Sequence, residues 1–160
     1  MARMIQQDLA FADTAPWKFD FEGIISAPPA KVWTAWTDNP GWAVWFKNCR
    51  SCVTTSPTAE GVGATRTIKM NGLTAEEVFI AWEPEHLWAF TVTSIKPSFA
   101  KSMVERVRFA DLGNGRTRIN YRIAVAPRGW AKPLRPIVAA QGAKAFVTSF
   151  AQFDKFVAAR

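Results

Sequence analysis

The chain has 160 residues, of which 49% are hydrophobic and 21% are charged, and its formal net charge is +7. A chain of this length buries roughly 70% of its unfolded surface, so it needs neither a disulfide nor a metal to hold a core. It has two cysteines and neither a secretory-type apolar run near the N-terminus nor a run of ~20 apolar residues. We therefore expect a cytoplasmic protein without a membrane span. One domain is predicted over residues 16–160, with residues 1–15 as an N-terminal extension.

The first predicted element is a strand, because polar and apolar residues alternate between Trp17 and Ser26. Two short helices follow, one opened by the double proline at residues 28–29 and one over residues 41–46. Each helix carries two tryptophans three residues apart, a spacing that puts both on one helical face. These are Trp33 and Trp36, then Trp42 and Trp45. The spacing predicts aromatic surfaces that are broad for such short helices.

Six further strand-like segments lie between residues 49 and 126. They are separated by turn signals, among which Asn71-Gly72 is a strong hairpin signal and Gly113-Asn114-Gly115 marks another turn. The turn before the strand over residues 64–70 does not fix its register. The facing therefore stays open for Arg66, Ile68 and Lys69.

The central predicted hairpin joins a strand over residues 73–82 to a strand over residues 87–95. Pairing the two tryptophans nearest the turn makes one face of this hairpin apolar throughout. The facing pairs in this register are Trp82–Trp88, Ile80–Phe90 and Val78–Val92.

The last predicted hairpin also has a defined register. Val107 faces Tyr121 on an inner surface that is apolar except at Glu105. On the outer surface, Arg106 sits directly opposite Arg122. Two like charges in that position are unfavourable unless an anion is near.

From about residue 137 to residue 158 the pattern has a helical period. A helix of that length is ~33 Å long, enough to cross a whole sheet. Its apolar stripe consists of Ala139, Ala143, Phe146, Phe150, Phe153 and Val157.

This order of elements resembles the START/Bet v 1-like (SRPBCC) superfamily. The resemblance rests on the segments ISAPPAKVWTAWTD, GVGATRTI, AEEVFIAWEPEHLWAFTV and FADLGNGRTRINYRI. It implies an α+β helix-grip fold: a curved seven-stranded antiparallel sheet around the long C-terminal helix, with two short helices after strand one. It also implies an internal hydrophobic cavity for lipids, polyketides or other apolar ligands. Within the superfamily the chain is most similar to the polyketide cyclase/dehydrase and lipid-transport group.

The resemblance further implies that the first strand lies beside the last. Outward acidic residues of the first strand could then pair with outward arginines of the last, which leaves Arg106 and Arg108 without a partner. The residues expected to form these ion pairs are Asp20 and Glu22 with Arg118 and Arg122.

Metal, redox and triad chemistry are not expected. Cys49 and Cys52 form a C-x-x-C, but it leads into a strand, where the two side chains point to opposite faces, rather than opening a helix. The one histidine, His86, lies in a predicted turn far from the expected cavity. A zinc site would need two ligands besides the cysteines, so no metal and no cofactor are predicted.

Glu105 is the main candidate for chemistry, because its strand position places it among inward apolar residues. A buried carboxylate is either paired or has a raised pKa, and in a cavity it could act as a general acid/base or anchor a polar ligand head. The alternative is an internal salt bridge to Arg66 or another cation. Tyr121 and Arg66 complete the candidate proton-transfer residues, and Glu76 is a similar carboxylate nearer a strand end. Ligand contacts are predicted from Trp42, Trp45, Val78, Ile80, Phe90, Val92, Glu105, Val107, Tyr121, Phe146 and Phe150.

Three functions are compatible with these features. The favoured one is binding of an apolar small molecule, lipid-like, aromatic or polyketide-like, in the cavity. The second is a polyketide cyclase/dehydratase-type enzyme acting in the same space. The third is a basic interaction module for RNA, the ribosome or an acidic protein, because residues 96–135 carry 10 Lys/Arg and 2 Asp/Glu. Such a band is more typical of a solvated sheet face, so nucleic acid is not expected as a partner. Monomer and homodimer both stay open.

Overall fold

The computed structural model describes residues 1–160 and shows an α+β architecture. Seven strands form one curved antiparallel sheet in the order β2-β8-β7-β6-β5-β4-β3, and a two-residue strand, β1, pairs with β6. The strands are β1 (Ala2–Arg3), β2 (Trp17–Ile25), β3 (Cys49–Thr54), β4 (Thr65–Met70), β5 (Leu73–Glu83), β6 (Leu87–Lys96), β7 (Ala100–Gly113) and β8 (Arg116–Pro127). The seven-stranded sheet and the pairing of β2 with β8 confirm the helix-grip prediction.

Four α-helices complete the fold. They are α1 (Phe11–Thr14), α2 (Pro29–Trp36), α3 (Trp42–Trp45) and α4 (Arg135–Ala158), with 3-10 turns at Asn39–Gly41 and Gly129–Leu134. The long helix begins two residues before the predicted start, because Pro136 stands in its first turn, where a missing N–H costs little. None of the helices combines the length and the apolar character that a membrane crossing requires.

Helix α4 lies across the inner face of the sheet. Its predicted apolar stripe is buried at Phe146, Phe150, Phe153 and Val157. The closest approach is at Gly23 of β2, where an added Cβ would lie 2.5 Å from Cγ of Phe150. Glycine at this position therefore lets the helix seat directly on the strand.

The two short helices supply an aromatic core between the sheet and α4. Trp36 is fully buried, and its ring lies 5.2 Å from that of Trp42 and 5.1 Å from that of Trp45. From α4, Phe153 packs 5.2 Å from the same indole. The tryptophan pairs seen in the sequence thus join helices α2, α3 and α4 into one packed unit.

The predicted register of the central hairpin is confirmed only for the residue pairs next to its turn. Trp82 does face Trp88, but a bulge at Ile80 shifts the pairing, so that Phe79 rather than Ile80 faces Phe90. The next pairs are Val78 with Thr91 and Glu77 with Val92. The prediction that placed Val78 and Ile80 on the inner face is therefore wrong, since one extra residue reverses the facing of everything beyond it.

The predicted register of the last hairpin is confirmed from Asp111 to Ser102, including Val107 opposite Tyr121 and Arg106 opposite Arg122. The expected ion pairs also form: Arg122 Nε lies 2.7 Å from Asp20 and Arg118 Nε lies 3.4 Å from Glu22.

The expectation that Arg106 lacks a partner is wrong. The N-terminal segment first pairs with β6 through Ala2–Arg3, and its helix α1 then packs against β7 and β8, where Asp13 lies 3.0 Å from Arg106 and 2.8 Å from Arg122. Hydrogen bonding to Arg106 and its charge lower the pKa of Asp13. The facing arginines therefore share a carboxylate that the N-terminal segment supplies.

We predict that Gly23→Ala destabilises the fold by about 1–3 kcal/mol, because the new methyl group must push Phe150 out of its seat. The measurement is the free energy of unfolding in urea. Gly129→Ala is the matched control, since its Cβ would meet open space. Equal unfolding midpoints for the two variants would show that α4 can shift without cost.

Candidate functional site

A cavity of about 360 Å³ lies between the inner face of the sheet and helix α4. Of the 26 residues that line it, 20 are hydrophobic. The volume falls in the range of small-molecule sites, and the lining favours an apolar occupant.

Seven of the predicted site residues line this cavity. They are Trp42, Arg66, Phe90, Val92, Glu105, Tyr121 and Phe146. Three others are buried in the core and do not line it: Trp45, which packs 4.5 Å from Phe153, together with Val107 and Phe150. Val78 and Ile80 do not line the cavity either, because the bulge in β5 turns them to the other face of the sheet.

The sequence does not determine which side chains of β4 face inward, and this facing decides whether a charged side chain lines the cavity. Arg66 and Ile68 are buried and line the cavity, whereas Lys69 is exposed. Arg66 is only 1% exposed, so its guanidinium is almost entirely removed from solvent. A charge in that position needs a partner inside the protein.

Glu77 is that partner. Arg66 Nε donates to Glu77 Oε2 at 2.6 Å, and Arg66 Nη1 donates to Asn39 Oδ1 at 3.1 Å. Two aromatic rings flank the guanidinium on neighbouring sides: the Trp42 centroid lies 4.5 Å and the Trp88 centroid 4.7 Å from Arg66 Cζ, and the two centroids are 5.7 Å apart. Arg66 Nη2 has no partner in the protein, although the side chain lines the cavity. It is therefore a buried donor that lacks an acceptor, in a side chain beside the cavity.

Sequence reasoning missed both Glu77 and Asn39. Glu76, which the strand pattern indicates as an inward carboxylate, is instead exposed on the other face and accepts a hydrogen bond from Ser94 Oγ. Because neighbouring strand residues face opposite sides, one carboxylate of the doublet Glu76-Glu77 must face inward, and the bulge at Ile80 of β5 decides which one. Asn39, which stands in the turn between the two short helices, carried no signal of its contact with Arg66.

Burial raises the pKa of Glu77, while the charge and hydrogen bond of Arg66 oppose that rise. The negative charge of Glu77 therefore depends on Arg66. Together the two side chains form a buried ion pair whose net charge is zero.

Glu105 and Tyr121 form a second polar group on the cavity wall. They are diagonal neighbours on β7 and β8, and Tyr121 Oη donates to Glu105 Oε2. Burial, with the nearby charge of Glu77, raises the pKa of Glu105 to about 8 against the opposing hydrogen bond of Tyr121. Burial and Glu105 hold the pKa of Tyr121 well above its usual value. At neutral pH Glu105 is therefore largely a protonated acid that faces the cavity.

The proposed alternative role of Glu105, an internal salt bridge to Arg66, does not occur because Arg66 pairs with Glu77 instead. The inward placement of Glu105 and Tyr121 follows the predicted register. Glu105 is thus free to interact with a ligand.

The cysteines do not contribute a reactive group. Burial raises the pKa of the Cys52 thiol to about 12, and burial also raises that of Cys49. His86 lies in the exposed turn between β5 and β6, outside the cavity. No three His, Cys, Asp or Glu residues are grouped in a way that could hold a metal ion.

The family model for polyketide cyclase/dehydrase and lipid transport matches residues 16–157 of this chain. The chain belongs to this family. An uncharacterised protein of Mycobacterium tuberculosis is 28% identical over 126 residues, which cover 78% of this chain and 75% of that protein.

Solved structures agree on the fold. The ZhuI aromatase/cyclase from a Streptomyces species superposes with a TM-score of 0.72 at 14% identity, covering 90% of this chain and 94% of that one. A START superfamily protein from Mycobacterium smegmatis superposes with a TM-score of 0.72 at 8% identity, covering 89% and 97%. At these identities the likeness extends to the fold alone.

We predict that Arg66→Met destabilises the protein by about 3–5 kcal/mol, because Glu77 is left buried without its counter-ion. Replacing both partners, as Arg66→Met with Glu77→Leu, should recover most of the loss, since no buried charge remains. Urea unfolding of the wild type, the single variant and the double variant measures both effects. A double variant no more stable than the single one would mean that the loss comes from packing rather than from the orphaned carboxylate.

A further prediction concerns pH. The pKa of Glu105 is raised in the folded protein, so the folded state holds a proton that the unfolded state has released between about pH 4.5 and pH 8. Its contribution to stability is complete below that window and falls as pH rises through it, by up to about 1.4 kcal/mol per pH unit. Glu105→Gln should flatten this decline in unfolding free energy. The control, Glu76→Gln, changes an exposed carboxylate and should leave the slope as it is. Parallel profiles for the wild type and Glu105→Gln would contradict the assignment.

Proposed function

We propose that this protein is a cytoplasmic binding protein for a neutral, mainly apolar small molecule with at least one oxygen acceptor. The observation that carries this proposal is the apolar cavity whose lining includes Arg66, a side chain with one buried N–H group, Nη2, that has no acceptor in the protein. The family description, which includes lipid transport, supports a container function.

The charges of the lining support a neutral ligand. Arg66 and Glu77 already neutralise each other, and Glu105 is mostly uncharged at neutral pH. A ligand carboxylate would enter a space with no uncompensated cation and would face Glu77 across Arg66. Since burying an unpaired charge is costly, a ketone, enol or hydroxyl is the better match to the free N–H.

The shape of the lining supports a ligand with flat rings or a polyketide-like chain. Aromatic side chains approach the space from α3, β6, β8 and α4. The Tyr121 and Phe146 rings lie 4.7 Å apart at an interplanar angle of 59°, and both residues line the cavity. Ring contacts of this kind add about 0.5–1.5 kcal/mol each beyond the area they bury.

An enzyme of the cyclase/dehydratase type is the second candidate, and the pKa of Glu105 near 8 favours it. A carboxyl that titrates near neutral pH is suited to general acid/base catalysis. The ionised fraction of Glu105, which grows as pH rises towards 8, could take a proton from the carbon beside a ligand carbonyl whose oxygen accepts a hydrogen bond from Arg66 Nη2. The negative charge that forms on that oxygen would then be stabilised by the guanidinium. Turnover of a β-polyketone that Glu105→Gln abolishes without weakening binding would favour this candidate over simple binding.

The interaction-module hypothesis has less support. A module without a ligand would be expected to fill its interior, since empty apolar space forfeits packing contacts. An interior with a 360 Å³ cavity and an unpaired donor fits a ligand better.

We predict that an apolar fluorescent probe binds with roughly micromolar affinity and that Ala145→Phe abolishes this binding. Ala145 lines the cavity from α4, so a phenyl group there would occupy ligand space. Ala151→Phe is the matched control, because Ala151 is exposed on the same helix and does not line the cavity. Fluorescence titration gives the affinities, and circular dichroism checks that both variants fold. Equal affinity in the two variants would mean that the probe binds elsewhere.

A further inference from the structure

An exposed apolar segment lies beside the cavity, at the junction between β8 and α4. Trp130 is 60% exposed, Ile137 55%, Leu134 38% and Val138 37%. These four fall within nine residues, whereas the other large exposed hydrophobic residues are scattered over the chain. Scattered apolar residues are ordinary on a protein surface, but a contiguous group marks an interaction site. We call residues 128–138 the junction segment.

The junction segment is also strongly basic. Arg128, Lys132 and Arg135 alternate with its apolar residues, and none of the three takes part in a salt bridge. No acidic residue occurs between Asp111 and Asp154. Lys101 adds a further positive charge, since it shares a shallow cleft with Lys132. The partner of this surface must therefore be anionic as well as apolar.

The backbone holds the apolar side chains outward. Ala131 is buried and anchors the 3-10 turn, while Pro133 and Pro136 restrict the backbone on either side of Leu134. The four side chains are thus fixed in an exposed arrangement rather than free to collapse onto the protein.

We propose that the junction segment docks on the surface of an anionic phospholipid bilayer. Tryptophan is suited to the boundary between headgroups and acyl chains, and Leu134 and Ile137 can enter the acyl layer beside it. Lys132 and Arg135 would then lie among the lipid phosphates. This inference goes beyond ligand binding and does not depend on what occupies the cavity.

Two other partners fit less well. An RNA would be attracted by the same charges, but the aliphatic side chains of Leu134, Ile137 and Val138 would gain nothing from phosphates or stacking. A second copy of the chain would bring two basic surfaces together without any acidic residue of the segment to compensate. A bilayer satisfies both the apolar and the basic character.

Position adds a functional consequence. Val138 belongs to the junction segment and also lines the cavity. Gln141, which lies about one turn further along α4 and outside the segment, lines the cavity as well. Docking through this segment would hold the cavity entrance at the bilayer surface. An apolar molecule could then move between membrane and cavity without crossing bulk water.

The test is sedimentation of the purified 160-residue protein with two kinds of vesicle. One is pure phosphatidylcholine, and the other is equal parts of phosphatidylcholine and phosphatidylglycerol. We expect binding to the mixed vesicles that is at least about tenfold stronger than to pure phosphatidylcholine and that weakens with added salt. Equal binding to both vesicles, or none to either, would overturn the proposal.

Matched variants locate the contact. Lys132→Glu with Arg135→Glu should abolish binding, while Arg116→Glu, exposed at the opposite end of β8, should change it little. Leu134→Ser with Ile137→Ser should weaken it at least about tenfold, while Val44→Ser with Val147→Ser, which are exposed elsewhere, should not. All the substituted positions are exposed, so unchanged thermal melts confirm that the fold is kept.

A fluorescence readout is specific for insertion. Brominated acyl chains should quench part of the tryptophan emission in mixed vesicles, and Trp130→Phe should remove that quenching while keeping most of the binding. Quenching that persists in Trp130→Phe would overturn the docking geometry. Binding of a short single-stranded RNA that the Leu134 and Ile137 changes leave intact, without vesicle binding, would assign the segment to RNA. A change of oligomeric state caused by those two changes, without vesicle binding, would assign it to self-association.

Discussion

The interior of this protein is organised by one buried ion pair, Arg66 with Glu77. A guanidinium that is 1% exposed requires an ionised partner, a second acceptor and polarisable surroundings, which Glu77, Asn39 and the Trp42 and Trp88 rings supply. These groups come from β4, β5, β6, the 3-10 turn and α3. The ion pair therefore connects the region of the two short helices to the centre of the sheet. The cavity lies beside this pair, between the inner face of the sheet and helix α4.

The same pair sets the chemistry of the cavity wall. Burial raises the pKa of Glu105, and the negative charge of Glu77 raises it further. The two buried carboxyl groups therefore differ in protonation. Glu77 remains ionised beside Arg66, and Glu105 remains protonated beside Tyr121. The wall consequently offers a hydrogen-bond donor from Arg66 and a neutral acid from Glu105, with no net charge between them.

The sequence predicts those parts of the fold that are determined by the local alternation of polar and apolar residues. The β7–β8 hairpin follows a regular alternation, so its register and the inward placement of Glu105 and Tyr121 could be predicted. The β5–β6 hairpin contains two bulges, and neither Ile80 nor Thr93 carries a local signal that it is an extra residue. The errors at Val78 and Ile80 and the missed role of Glu77 share this cause. Asn39 and Asp13 were missed for another reason, since each acts only through a partner distant in sequence.

The distribution of polar groups gives the cavity a direction. Arg66 lies at the enclosed end against the rings of α3 and β6, whereas Val138 is 37% exposed where the cavity reaches the surface of α4. A ligand with one oxygen-bearing end would lose that group's hydration on entry, and it regains a hydrogen bond if the oxygen reaches the donors of the wall, Arg66 Nη2 or protonated Glu105. Entry with the polar end first is therefore favoured, leaving the apolar remainder against Phe146 and towards Val138. The junction segment continues this gradient onto the outside of the protein through Val138, which belongs both to that segment and to the cavity lining.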